Sequence, residues 1–97
     1  MLVEVITPEQ RIFSGEAVAV QLPGADGLFQ VLDQHAPIIS TLVEGDVKID
    51  LTKAPDANFN DLEGKIVRVK GSDKTLRIPI KGGVMEMNQN KVIVLAD

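Results

Sequence analysis

Apolar and polar residues alternate along most of this chain, and nowhere do the apolar ones recur at helical spacing. Val47, Ile49 and Leu51 alternate with Lys48 and Asp50, the signature of a strand with one face in a core and one in water. Val3, Val5 and Thr7 alternate in the same way with Leu2, Glu4 and Ile6, up to the break at Pro8. Arg11-Ile12-Phe13 reads as a second short strand, stopped at Ser14-Gly15. A third covers residues 17–22, with Val18, Val20 and Leu22 on one face. Phe29, Val31 and Leu32 form a short apolar strand after a turn built on Pro23, Gly24 and Gly27. Pro37 holds Ala36 extended, and another strand follows it to Leu42. A strand over 65–70 points Val67 and Val69 inward. Leu76, Ile78 and Ile80 alternate with Arg77, Pro79 and Lys81; Pro79 cannot donate to a ladder, so it lies on an edge or faces outward at a bulge. The chain closes on a hairpin, residues 84–88 and 91–96, around Gln89-Asn90, since Asn tolerates a left-handed turn position. Residues 52–62, TKAPDANFNDL, are rich in turn formers and read as a surface loop.

These segments make about ten short strands. They predict an all-β class and a two-layer antiparallel β-sandwich, with residues 1–97 as a single domain. Composition agrees with that picture. Apolar residues are 44 % of the chain and aromatic ones 3 %, so the core is aliphatic and rich in the residues that favour strands. There is no Cys, which excludes a disulfide framework, a thiolate metal site and a Cys nucleophile. The formal net charge is −4, against a nucleic-acid partner, which requires a basic face. No run approaches the ~18–20 apolar residues that cross a bilayer. The first ten residues have neither the basic region nor the apolar stretch of a signal peptide.

Candidate chemistry is sparse. His35 is the sole histidine. It reads as a turn residue bonded to nearby backbone rather than a base or ligand, because scattered carboxylates do not complete a ligand set around it. Gly24-x-x-Gly27 lacks the Lys-Ser or Lys-Thr and the following helix of a phosphate loop. Asp46, Asp50, Asp56 and Asp61 lack calcium-loop spacing. Gly82-Gly83 is expected to mark a bulge or a close backbone approach. Met85 and Met87 are either core fillers or a soft apolar patch for a partner. No catalytic, cofactor or metal site emerges.

Several motifs carry a resemblance. They are Leu22-Pro23-Gly24-x-x-Gly27, Phe29-x-Val31-Leu32 and His35-Ala36-Pro37-Ile38-Ile39-Ser40, preceded by Thr7-Pro8-Glu9 and Phe13-Ser14-Gly15-Glu16. Near the end stand Gly82-Gly83-Val84-Met85-Glu86-Met87 and Asn90-Lys91-Val92-Ile93-Val94-Leu95-Ala96. Together they resemble the N-terminal domain of the epsilon subunit of rotary F-type ATP synthases, over residues 1–50 and 76–97. Gln30 and Asp33-Gln34 depart from the family's usual residues, and segment 52–73 is longer than its usual connection, with an extra hairpin.

The resemblance implies a β-sandwich that is a non-catalytic subunit of the central stalk. It binds the gamma subunit and the ring of c subunits, and indirectly serves the alpha/beta catalytic head, coupling proton-driven rotation to ATP synthesis. It implies c-ring contacts at Asp26, Gly27 and Leu28 and gamma contacts at Thr7, His35 and Ser40. It implies a peripheral place on the cytoplasmic face of the bacterial inner membrane, without lipid insertion and without a cofactor, and a soluble monomer when isolated. Family members usually continue into a two-helix C-terminal domain, whereas this chain stops at Asp97. From that end, no nucleotide binding and no inhibition by an extended arm are expected. The rival reading is a free-standing module for a peptide or carbohydrate, although three Phe with no Trp or Tyr offer little for sugar stacking.

Overall fold

The computed structural model describes residues 1–53, 66–68, 71 and 74–97. The predicted 52–62 loop and the extra hairpin therefore lie largely outside the described residues, as does Val69. Nine strands occur among the described residues: β1 (Leu2–Ile6), β2 (Arg11–Gly24), β3 (Gly27–Leu32), β4 (Ile38–Leu42), β5 (Gly45–Leu51), β6 (Val67–Arg68), β7 (Thr75–Ile80), β8 (Gly83–Asn88) and β9 (Lys91–Ala96).

The strands form one hydrogen-bonded sheet that folds back on itself. Its order is β1-β9-β8-β4-β2-β5-β7-β6, with β3 also on β2 and a further pairing of β1 with β2. One layer is β1-β9-β8-β4, and the other is β3-β2-β5-β7-β6. All pairings are antiparallel except β1 with β9, which run parallel from Leu2↔Lys91 to Ile6↔Leu95.

β2 joins the layers. Its first half pairs with β1, from Glu16 to Arg11, and its second half lies between β3 and β5. Two predicted strands, at 11–13 and 17–22, are thus one strand of 14 residues. Gly15 does not break it, because the Phe13 ring lies across the space a side chain would take: a Cβ there would sit 2.8 Å from the Phe13 ring. The irregularity comes two residues later, where the register with β5 slips between Ala17 and Ala19. That bulge turns Val18 outward, against the prediction, and leaves Ala17, Val20 and Leu22 in the core.

The alternation otherwise sorts as read. Val47, Ile49, Leu51, Leu76, Ile78 and Ile80 from one layer meet Val3, Val5, Met85, Met87, Val92 and Val94 from the other in a single buried cluster. Met85 and Met87 are core fillers. In the short β6 the parity is reversed: Ile66 is buried and Val67 is exposed, because Val67 is paired with the outward Arg77. Pro79 is exposed and lies beyond the two residues of β7 that pair with β6, so its missing N–H interrupts no described ladder.

Glycine permits a close approach at the start of β8. A Cβ on Gly83 (φ 145°) would fall on the Leu95 carbonyl oxygen, so only glycine lets β8 begin this near β9. At the other end of the hairpin, Gln89 (φ 50°) and Asn90 (φ 60°) both take the left-handed turn conformation. In the β2–β3 hairpin, Gly24 pairs with Gly27, so the turn itself is Ala25-Asp26 and Pro23 belongs to the strand.

Candidate interaction surface

Strand register decides what the outside of each layer shows. On the β1-β9-β8-β4 layer two long cross-strand rows face outward, beside the shorter row Leu2, Lys91 and Asn88. One runs Glu4, Ile93, Glu86, Ile39, and the other Ile6, Leu95, Val84, Thr41. Ile39 is 71 % exposed, and Leu95 and Val84 are also exposed, while Ile6 and Ile93 are half-buried. Five aliphatic side chains therefore form a continuous patch on the water side of one layer. An unpartnered patch of this kind is the usual mark of a protein interface.

The two carboxylates in this face are treated differently. Glu4 is only 9 % exposed and is held between Lys91 (Nζ to Oε1, 3.0 Å) and Arg11 (Nε to Oε2, 3.2 Å). The Lys91 hydrogen bond, helped by both nearby cations and opposed by partial burial, holds its carboxyl below the usual carboxylate range. Glu86 is exposed between Ile93 and Ile39 and makes no ion pair among the described residues.

The positions predicted to touch gamma stand around this face rather than in one cluster. Thr7 follows β1 at one end, its hydroxyl bonded to the Gln10 backbone (3.2 Å). His35 lies at the other end, in the bend after β3, with Nδ1 2.6 Å from the Ala36 carbonyl oxygen. Its exposed ring bonds backbone next door, as a turn residue's would. Ser40 is half-buried on β4, the far strand of the layer, opposite Met85.

The predicted c-ring contacts, Asp26, Gly27 and Leu28, crown the β2–β3 hairpin, and Leu28 is 69 % exposed. They share a cleft of about 440 Å³ with Gly24, Phe29, Ile39 and Ser40. The structure thus sets Ser40 beside the hairpin tip, while its register opposite buried Met85 turns it to the inner side of β4, away from the outward Ile39 and Thr41. Backbone bonds from Ala25 N to Thr41 O (3.1 Å) and Val43 N to Pro23 O (2.8 Å) fasten that hairpin to β4.

One polar network was not foreseen. The Met1 ammonium donates to Asp33 Oδ1 (2.6 Å) and to the Ala17 carbonyl (3.0 Å), and Asn90 Nδ2 donates to the same Asp33 oxygen (3.0 Å). Asn90 Oδ1 accepts from the Gln34 amide (2.8 Å). The bond from the ammonium first, and that from Asn90 second, lower the pKa of Asp33. The network ties the bend before His35 to the β8–β9 turn and so sets one end of the apolar face. The outward apolar patch itself had a signal in the sequence. Val92 through Ala96 are all apolar, and an unbroken run is what a strand covered on both faces shows.

Among the described residues no group of three or more His, Cys, Asp or Glu could hold a metal ion, and no helix is long and apolar enough to cross a membrane. The geometry defines an aliphatic β-sandwich that presents one bare apolar face and an exposed hairpin, the equipment of a protein–protein assembly domain. Residues 1–59 match the family described as ATP synthase, Delta/Epsilon chain, beta-sandwich domain. The chain is 32 % identical over 94 residues to the ATP synthase epsilon chain of Chlorobium limicola, covering 97 % of this chain and 85 % of that one. To the epsilon chain of Neisseria meningitidis serogroup B it is 33 % identical over all its 97 residues, which span 56 % of that relative. The chain belongs to the ATP synthase delta/epsilon family. Its fold is similar to a solved structure titled as the central stalk and c-ring of the Tetrahymena thermophila mitochondrial ATP synthase, with a TM-score of 0.67 at 14 % identity over 99 % of this chain and 62 % of that one.

Proposed function

We propose that this chain is a non-catalytic central-stalk subunit of a rotary ATP synthase, which binds gamma through the β1-β9-β8-β4 face and the c-ring through the β2–β3 hairpin. The observation that carries the reading is the patch of outward aliphatic side chains, Ile6, Ile93, Leu95, Val84 and Ile39, in a member of the epsilon family. Thr7 and His35 stand at the two ends of that face and Ser40 lies on its edge strand β4, beside the hairpin tip, and these are the gamma contacts; Asp26, Gly27 and Leu28 are the c-ring contacts. A sandwich with aliphatic side chains interlocked across both layers is stiff, because close-packed interiors resist deformation. That suits a part that carries torque between the ring and the alpha/beta head under the proton gradient. The chain works on the cytoplasmic face of the bacterial inner membrane, held there by its partners.

Gel filtration of the chain mixed with gamma, and then with gamma on the c-ring, tests the reading. Co-elution with gamma is expected, since permanent subunit contacts commonly bury ~2,000 Å² or more. A variant carrying Val84→Asp and Leu95→Asp should elute alone. Co-elution of that variant with gamma at parental affinity would contradict the assignment of the face.

A further inference from the structure

Two carboxylates lie on one outward row, Glu4-Ile93-Glu86-Ile39, and among the described residues only Glu4 is ion-paired. Glu4 holds both nearby cations, Arg11 and Lys91. Neither cation is ion-paired with Glu86. Glu86 has an isoleucine on each side across the strands and borders a groove of about 460 Å³ with Pro37, Ile38, Ile39, Met87 and Asn88 along the β4 edge. In water an isolated carboxylate at this place costs nothing. Once the apolar face is covered, it loses its hydration, and an unpaired buried charge is severely unfavourable.

We infer that the partner surface covering this face carries an arginine or lysine that enters the Ile39 groove and pairs with Glu86, so that Glu86 fixes the register and the choice of partner. The inference rests on the reading above, that gamma occupies the face. Charge complementarity argues for such a partner over a second copy of this chain. In a copy the two nearest cations are already engaged by Glu4, and the chain carries a net charge of −4 that repels itself. The flanking isoleucines fit the alkyl stem of the incoming side chain, while its head meets the carboxylate. Internal pairing at Glu4 does the opposite job, since it leaves no charge there for a partner to satisfy.

The test is the affinity of the full chain for gamma, with Glu86→Gln and Glu86→Lys set against the Val84→Asp, Leu95→Asp double variant. Removing one member of a desolvated charge pair is expected to weaken binding about thirtyfold or more for Glu86→Lys, and about tenfold for Glu86→Gln. Glu86 is exposed in the free chain, so thermal melts of both variants should match the parent. Parental affinity in Glu86→Gln, whatever Glu86→Lys does, overturns the inference. If the double variant loses gamma while Glu86→Gln keeps it, the face is right and the pairing is wrong. If the double variant also keeps gamma, the reading of the face fails first. Sedimentation of the chain alone as a dimer that Glu86→Lys dissolves would make a second copy the occupant and would also overturn the inference.

Discussion

The two layers share one core, yet their outer faces are built on opposite rules. Outside the β3-β2-β5-β7-β6 layer the central row is Gln30, Gln21, Lys48 and Arg77, all polar, with aliphatic exposure confined to single residues such as Leu32 and, beyond Arg77, Val67. Its acids have partners: Asp46 lies 3.7 Å from Arg77, and Asp50 accepts from the Thr75 hydroxyl at 3.0 Å. The corresponding row outside the other layer places Leu95 and Val84 between Ile6 and Thr41, and in the row beside it Glu86 makes no ion pair among the described residues. Strand geometry cannot cause this difference, since both layers alternate with the same period. What differs is what each face meets. A mainly polar row is finished in water, and an aliphatic one with a lone carboxylate is what the proposed partner would cover.

That comparison can be broken by experiment, beginning with the largest effect. Gly83→Ala should cost about 3 kcal/mol or more, read from denaturant melts, because its Cβ falls on the Leu95 carbonyl in a backbone conformation that glycine alone adopts easily. The start of the apolar layer's β8–β9 pair would be forced apart. Next, Met85→Ala and Ile49→Ala, one in each layer and both fully buried, should each cost about 2–5 kcal/mol. Similar losses would show that the core does not distinguish the layers, and a large disparity would mean that one layer is the more stable body.

A smaller effect belongs to Asp33. Its carboxyl pKa is lowered in the folded chain by the Met1 ammonium first and by Asn90 second. A depressed carboxylate contributes stability that is complete above the ordinary carboxylate range and is lost as pH falls through the folded value. Asp33→Asn should therefore lower the melting temperature at neutral pH, by less than the core variants do, and the gap from the parent should narrow in acid. A constant gap down to strongly acid pH would show that the carboxylate charge is not what matters. The smallest effect on the isolated chain is at the surface. Leu95→Gln and Lys48→Gln should each change stability by only about 0.5 kcal/mol or less. Gamma affinity separates them: Leu95→Gln should weaken it several-fold and Lys48→Gln should leave it alone.

Much of this molecule was legible in the sequence. Strands with one wet face, such as Val47 to Leu51 and Leu76 to Ile80, declared themselves by alternation, and the inward residues are the predicted ones. The tight turn at Gln89-Asn90 was marked by its own residues. The misreadings share a cause. Gly15 looked like a stop, and only the position of the Phe13 ring shows why it continues the strand. Val18 was read by parity, and the bulge beside it, set by pairing with a distant strand, reversed it. Val67 sits on a two-residue strand, too short for parity to be read. The outer face was half legible. The unbroken apolar run at 92–96 signalled a strand covered twice, but which neighbours completed the patch depended on the parallel β1–β9 register, which no local pattern encodes. The pairing of Glu4 with Lys91 was hidden for the same reason.

Side-chain oxidative footprinting of the chain, alone and bound to gamma, tests the central claim most directly, because exposed aliphatic residues stand on both layers and serve as each other's control. Ile39, Val84 and Leu95 mark one face, and Leu32 and Val67 the other. The account predicts strong protection by gamma at Ile39, Val84 and Leu95, with Leu32 and Val67 oxidised as fast as in the free chain. Protection at Leu32 and Val67 with Ile39, Val84 and Leu95 still reactive would contradict it.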